Sequence, residues 1–384
     1  MAPVTPFRID EWNSCVNPLS LTGLQSLAAD SKEVPLLELD RPLGYGAVLG
    51  SRKLRETIAS VCTSGEADPI TWEGVLVTQG AISANFLVLS SLCGPGDHII
   101  CQYPTYQQLY EVPRHAGADV SLWKLTAEKE WLPDLDELQT LVQSNTKMII
   151  INNPCNPTGA AIPRPILEGL VAFAAERDIM ILSDEVFRPL FYTEIPPPSI
   201  LALGYQNVIC TGSTSKGYAL PGLRVGWIAS PNKAVIAATA ATRDYTTIAV
   251  SQLDDQIACY ALTQKVRARI VVRSLAIARE NLRVLEAFVE EYAFACDWVR
   301  PTGGAVAFVR VSKDGVPVDD NLFCKMLLAS TGTLIVPAGF CFGTEQEGDF
   351  KGYLRIGFVS EPSVLINGLA SLGTYLKDEF RVSW

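Results

Sequence analysis

An α/β fold with a mainly parallel central sheet and a smaller α+β region is predicted by three observations. Between about Val75 and Ala229, short apolar runs alternate with longer segments of helical period. Those runs are apolar at nearly every position, as strands covered on both faces require. After Pro231 the texture changes to long charged and aliphatic segments, followed by a second group of short apolar runs.

Taken in order, the strand candidates of the larger region are VLVT (75–78), HIIC (98–101), KMIIIN (147–152), IMIL (179–182), NVICT (207–211) and VGWIA (225–229). Helices are expected between them. One runs from Ile82 to Leu92 after a glycine. Another runs from Pro163 to Arg177, opened by prolines, which suit a first helical turn. The stretch 264–295 has the length and period of an extended helix leaving the sheet. AVAFVR (305–310), TLIVP (333–337) and YLRIGF (353–358) then read as strands, and 362–377 as an amphipathic helix. The first forty residues are proline-rich and aperiodic, and are expected to pack on the smaller region. We expect a large domain over residues 46–275 and a small domain built from 1–45 and 276–384.

Composition narrows the chemistry. The 384 residues are 48% hydrophobic and 19% charged, enough apolar material for a large core. A net charge of −10 disfavours a grip on nucleic acid or anionic lipid. With His98 and His115 as the only histidines, a multi-imidazole metal site or a serine–histidine–carboxylate triad is hard to assemble, so no metal is expected. The ten cysteines sit among apolar neighbours with no CxxC pair, which reads as reduced, buried thiols. The start lacks a signal-peptide pattern, and no apolar run approaches ~20 residues. A soluble, cytoplasmic chain is expected.

Four clusters carry chemistry. STSKGYALPGLRVG (213–226) brackets Lys216 with small hydroxyl residues and adds Arg224. A positioned lysine amine forms Schiff bases, and the hydroxyls and Arg224 suit an anion such as phosphate. NNPCNPTG (152–159) follows a strong strand and so projects from the carboxyl edge of the sheet, where α/β folds bind ligands. SDEV (183–186) sets Asp184 at the same edge; a carboxylate there also suits a helix cap. TQGAI (78–82) joins a strand to a helix, offering free N–H groups and a helix dipole to a phosphate.

Together with YGAVLGSRKLR (45–55) and YLRIGF, these strings resemble, in order, the motifs of the class I/II aminotransferases among the fold-type I pyridoxal-phosphate enzymes, from roughly residue 40 to the C-terminus. The resemblance implies that Lys216 carries the cofactor as a Schiff base and shuttles the substrate's α-proton. Asp184 would pair with the pyridine nitrogen, and Asn156 would hydrogen-bond the cofactor's phenolic oxygen. Gly80, Ala81, Ile82, Ser213, Ser215 and Arg224 would surround the phosphate, with Tyr106 stacked on the ring. Tyr45 would reach the phosphate of a neighbouring subunit, which implies a homodimer with shared active sites. Arg355 resembles the arginine whose planar fork grips the substrate carboxylate. The implied reaction moves the amino group of an L-α-amino acid to a 2-oxo acid. The same scaffold also supports elimination, cyclisation or oxidation.

One position departs from the family. Phe187 stands where a tyrosine usually donates to the cofactor's phenolate. Losing that donor is expected to raise the pKa of the Schiff base and alter the partition of products; alternatively, Phe187 only packs against the ring. The side-chain pocket is expected to draw on Trp12 to Asn17, a partner's Tyr45 and Arg188, which equally reads as a surface residue. Two rival readings fail on context. GYGAVLG (44–50) lacks the buried strand that a dinucleotide fingerprint follows. STSK (213–216) lacks the accompanying motifs of serine acyl enzymes.

Overall fold

The computed structural model describes residues 14–27, 35–63, 70–343 and 348–380. Seven strands form the larger sheet: β1 (Val75–Thr78), β2 (His98–Tyr103), β3 (Asp119–Lys124), β4 (Thr146–Asn152), β5 (Met180–Asp184), β6 (Val208–Ser213) and β7 (Gly226–Ala229). Their order is β1-β7-β6-β5-β4-β2-β3. The pairs from β6 through β3 are parallel; β7 runs antiparallel to both β6 and β1.

The uniformly apolar strands are covered on both faces because successive side chains point in opposite directions. Ile149, Ile151, Ile181 and Val208 enter one core, whereas Met148, Ile150, Leu182 and Ile209 enter the other. Each such side chain contributes about 1.5–3 kcal/mol when fully buried. The edge strand β3 has no counterpart among the sequence-predicted strands. Its sequence, DVSLWK, buries only Trp123 fully, so it lacks an apolar run.

A second, antiparallel sheet holds β8 (Cys296–Trp298), β9 (Val306–Lys313), β10 (Val316–Pro317), β11 (Val336–Pro337) and β12 (Tyr353–Gly357). The expected strand at 333–337 shrinks to two residues. In β12, Leu354 and Ile356 point into a third core while Arg355 faces away from it. The long helix Gln264–Glu291 ends before residue 295, because Tyr292–Ala295 turn the chain into β8. That helix gives Val266 and Ile270 to a core of the large sheet and Ala278, Leu282 and Leu285 to the core of the small one. Near the start of the chain, Val16 joins the small-sheet core, whereas Leu24 and Leu36 pack with the large sheet. Two hydrogen bonds fix this crossing: the Asn17 N–H donates to the Val359 carbonyl and the Leu19 N–H to the Ala219 carbonyl.

None of the ten cysteines forms a disulfide, and nine are buried. Among the described residues no helix is long and apolar enough to cross a membrane.

Candidate active site

The carboxyl ends of β4, β5 and β6 lie side by side, with Asn152 in register with Asp184 and Asp184 in register with Thr211. Partners in register on parallel strands share a face, so three polar side chains stand in a row at one sheet edge. Above them is a cavity of about 270 Å³. Around it stand Ala81, Ile82, Tyr106, Asn156, Asp184, Phe187, Ser213, Ser215, Lys216, Arg224 and Arg355, which brings together most of the residues singled out from the sequence.

Asp184 is buried, and each carboxylate oxygen accepts a hydrogen bond. The Val186 N–H donates to Oδ1 at 3.0 Å and Asn85 Nδ2 to Oδ2 at 2.9 Å. Burial pushes this carboxyl up to about 6; the two hydrogen bonds and the nearby Lys216 oppose the rise. The loop after β4 is held by Asn152. Its Nδ2 donates to the Asp184 carbonyl (2.9 Å), and its Oδ1 accepts from the Asn156 N–H (2.7 Å).

Lys216 Nζ donates to Ser14 Oγ at 2.6 Å. Arg355 Nη1 donates to Asn156 Oδ1 at 3.5 Å, and burial lowers the guanidinium's pKa. Tyr106 is 38% exposed, and burial, followed by the charge of Asp184, raises its phenol. Phe187 is 1% exposed and packs into the small-sheet core while bordering the cavity.

At the other end, the helix Gly80–Leu92 starts without a side-chain cap, so its first N–H groups are open to an anion. Gly80 has φ +78, and a Cβ there would stand 2.6 Å from Arg224 Nη2. Gly226 of β7 is equally constrained: a Cβ would meet the Gly80 carbonyl carbon at 2.4 Å. Two glycines therefore let a guanidinium, a helix start and a strand converge. The Ser213 hydroxyl accepts from the Ser215 N–H at 3.1 Å beside them.

Some expectations do not meet here. Arg188 is not at the cavity: its Nε pairs with Glu185 at 2.9 Å and its Nη2 donates to the Pro197 carbonyl. An adjacent carboxylate captured it. Tyr45 is 90% exposed and stands apart from this chain's own cavity. Trp12 and Asn13 lie outside the described residues, while Ser14 and Cys15 line the cavity. Sequence reasoning missed Asn85 and Thr211. The available signal was a lone amide inside the mostly apolar helical run AISANFLVL.

A helix N-terminus and arginine for a phosphate, a buried carboxylate for a ring nitrogen, and an accessible lysine for an aldehyde fit pyridoxal phosphate. Fold and donor set thus define a pyridoxal-phosphate-dependent enzyme. The family model for aminotransferase class I and II matches residues 16–367, and the chain belongs to that family. It is 32% identical to capreomycidine synthase of Streptomyces vinaceus over 88% of this chain and 82% of that one. A pyridoxal-phosphate-dependent aminotransferase from Streptococcus suis 89-1591 superposes with a TM-score of 0.86, at 38% identity and covering 95% and 92% of the two chains. The pyridoxal-phosphate-dependent cyclase OrfR superposes with a TM-score of 0.84, at 27% identity over 98% and 94%.

Proposed function

We propose that this cavity transfers an amino group from an L-α-amino acid to a 2-oxo acid. The observation that carries the reading is Arg355, a half-buried guanidinium opening on the same cavity as Lys216 and Asp184. Its planar fork suits a substrate carboxylate at two points, which would hold the α-carbon near Lys216. Bound pyridoxal phosphate supplies an electrophilic carbonyl and an electron sink.

In this reading Lys216 Nζ would anchor the cofactor covalently and, as a free amine, would take the proton from the substrate α-carbon and give it to the cofactor. Ser14 holds the amine through the hydrogen bond at 2.6 Å. Asp184 accepts from the ring nitrogen and Asn156 donates to the phenolic oxygen. The backbone of Gly80, Ala81 and Ile82, with Ser213, Ser215 and Arg224, holds the phosphate. Tyr106 and Phe187 confine the ring. Tyr45, with Leu43 at 73% exposure beside it in sequence, suits contact with a second copy of the chain. The reading therefore includes a homodimer, a domain division near residue 275 and a cytoplasmic enzyme.

A second reading is ring closure on the same cofactor. It is favoured by the similarity to capreomycidine synthase and OrfR, and by the missing hydroxyl at Phe187. Single turnover with a panel of amino acids separates the two. Amino transfer yields the amino form of the cofactor and one equivalent of 2-oxo acid; a cyclised product without that form selects the second reading, and ammonia without it selects elimination. Borohydride reduction followed by peptide mass analysis is expected to place the cofactor on Lys216.

A further inference from the structure

Three fully buried polar side chains from three elements form a chain behind the cavity. Thr211, on β6, is 0% exposed; Asn85, on the helix Gly80–Leu92, is 1% exposed; Asp184, on β5, is 2% exposed. Thr211 Oγ1 donates to Asn85 Oδ1 at 2.6 Å, and Asn85 Nδ2 donates to Asp184 Oδ2 at 2.9 Å. A third contact agrees with this orientation. Gln108 Nε2 donates to the Ile82 carbonyl at 2.7 Å, which turns Gln108 Oε1 toward Asn85 Nδ2 at 3.5 Å.

The direction of these bonds matters. A hydroxyl can donate or accept, but a carboxylate only accepts. With its oxygen held by Thr211, Asn85 presents N–H to Asp184 and so favours the ionised carboxyl. Were the amide reversed, its oxygen would face the carboxylate and favour the protonated acid instead.

We propose that Asn85, turned by the acceptors Asp184 and Gln108 Oε1 and braced by Thr211, is a positioning residue that keeps Asp184 ionised and aimed at the pyridine nitrogen of the cofactor. The inference rests on the reading of Asp184 given above and adds to it the residues that maintain its charge. Burial works against that charge, and the neighbouring Glu185 carboxylate also opposes it. Lys216 and the Val186 N–H act in the same sense as Asn85. Tyr106 and Cys155 also lie close enough to respond to Asp184; both are neutral at pH 7, and burial raises each further above its ordinary value.

Two measurements on the full-length protein test this. In the cofactor-loaded protein, nitrogen-15 in the ring reports where the shared proton sits. Asn85→Leu is expected to move that resonance toward the unprotonated value. In the cofactor-free protein, infrared titration of the carboxyl, isolated by subtracting the Asp184→Asn spectrum, is expected to move its midpoint up by about one pH unit. Thr211→Val, nearly equal in volume, should shift both readouts in the same direction by less, and Thr211→Ser should restore them. If Asn85→Leu does not fold, Thr211→Val decides. Unchanged nitrogen resonance and midpoint in the folded variants overturn the proposal, whatever happens to activity. Failure of the cofactor assignment appears differently, as wild-type protein in which borohydride leaves Lys216 unlabelled.

Discussion

The two ends of the cavity are built by different rules. The end around Asp184 is supplied by three adjacent strands and one helix, and every functional atom there is tied to a buried neighbour: Asn85, Thr211, Asn152 and the backbone of Val186. The end around Arg355 is assembled from a strand of the small sheet, a loop after β4 and the start of the chain. Its cross-element contacts include the 3.5 Å hydrogen bond from Arg355 to Asn156 and the Lys216–Ser14 pair. A densely bonded sheet edge holds one chemistry in fixed geometry, while elements from separate cores can shift relative to each other and suit substrate choice.

Four outcomes would break or sharpen that contrast. The largest effect is expected for Lys216→Ala, which removes the covalent anchor and the proton carrier together. Turnover should fall by at least about 10²–10⁴-fold, with no borohydride adduct. Measurable adduct at another residue would relocate the site.

Arg355→Lys, at the end assembled from separate elements, should raise KM for the amino acid roughly 10- to 100-fold with a smaller change in kcat. A point charge replaces a two-pronged donor there. Equal losses in KM and kcat would mean that the two ends are coupled.

Asp184→Asn should leave a pH signature in the stability of the cofactor-free chain. The folded carboxyl titrates near 6, above its ordinary value of 3.8. Its stabilising contribution is therefore full below about pH 4 and lost as pH rises through 6. The variant lacks this loss, so its melting temperature relative to wild type should increase from pH 4 to pH 8, by an equivalent of up to about 3 kcal/mol. A difference independent of pH would show that the edge compensates burial completely.

The smallest effect is expected from Phe187→Tyr. Restoring a hydroxyl beside the phenolic oxygen should lower the pH midpoint of cofactor absorbance by about one unit or less and move the product ratio toward amino transfer. Without movement in either, Phe187 is a packing residue.

Much of this was legible beforehand. Strands buried on both faces announce themselves as apolar runs, and β1, β2, β4, β5, β6 and β7 all have them. β3 escaped notice because an edge strand with one deeply buried side chain carries no such run. The cavity residues at Asp184, Asn156, Lys216 and Arg224 were legible because each sits in a short string at a strand end or turn, and Arg355 because it interrupts the apolar run of β12. Arg188 was misleading for the converse reason: its neighbour Glu185 is three residues away, and local pairing decided its direction.

By itself the sequence determined which groups the chemistry would use and where along the chain the sheet would present them, because strand periodicity and turn residues are local properties. Tertiary structure alone decided that Asn85 and Thr211 stand behind Asp184, and that Ser14 meets Lys216 across a separation of 202 residues. The physical reason is that a buried amide or hydroxyl takes its partner from whatever packs against it. Asn85 on the helix Gly80–Leu92 reaches Asp184 of β5 and Thr211 of β6 through tertiary packing alone, across 99 and 126 residues of chain.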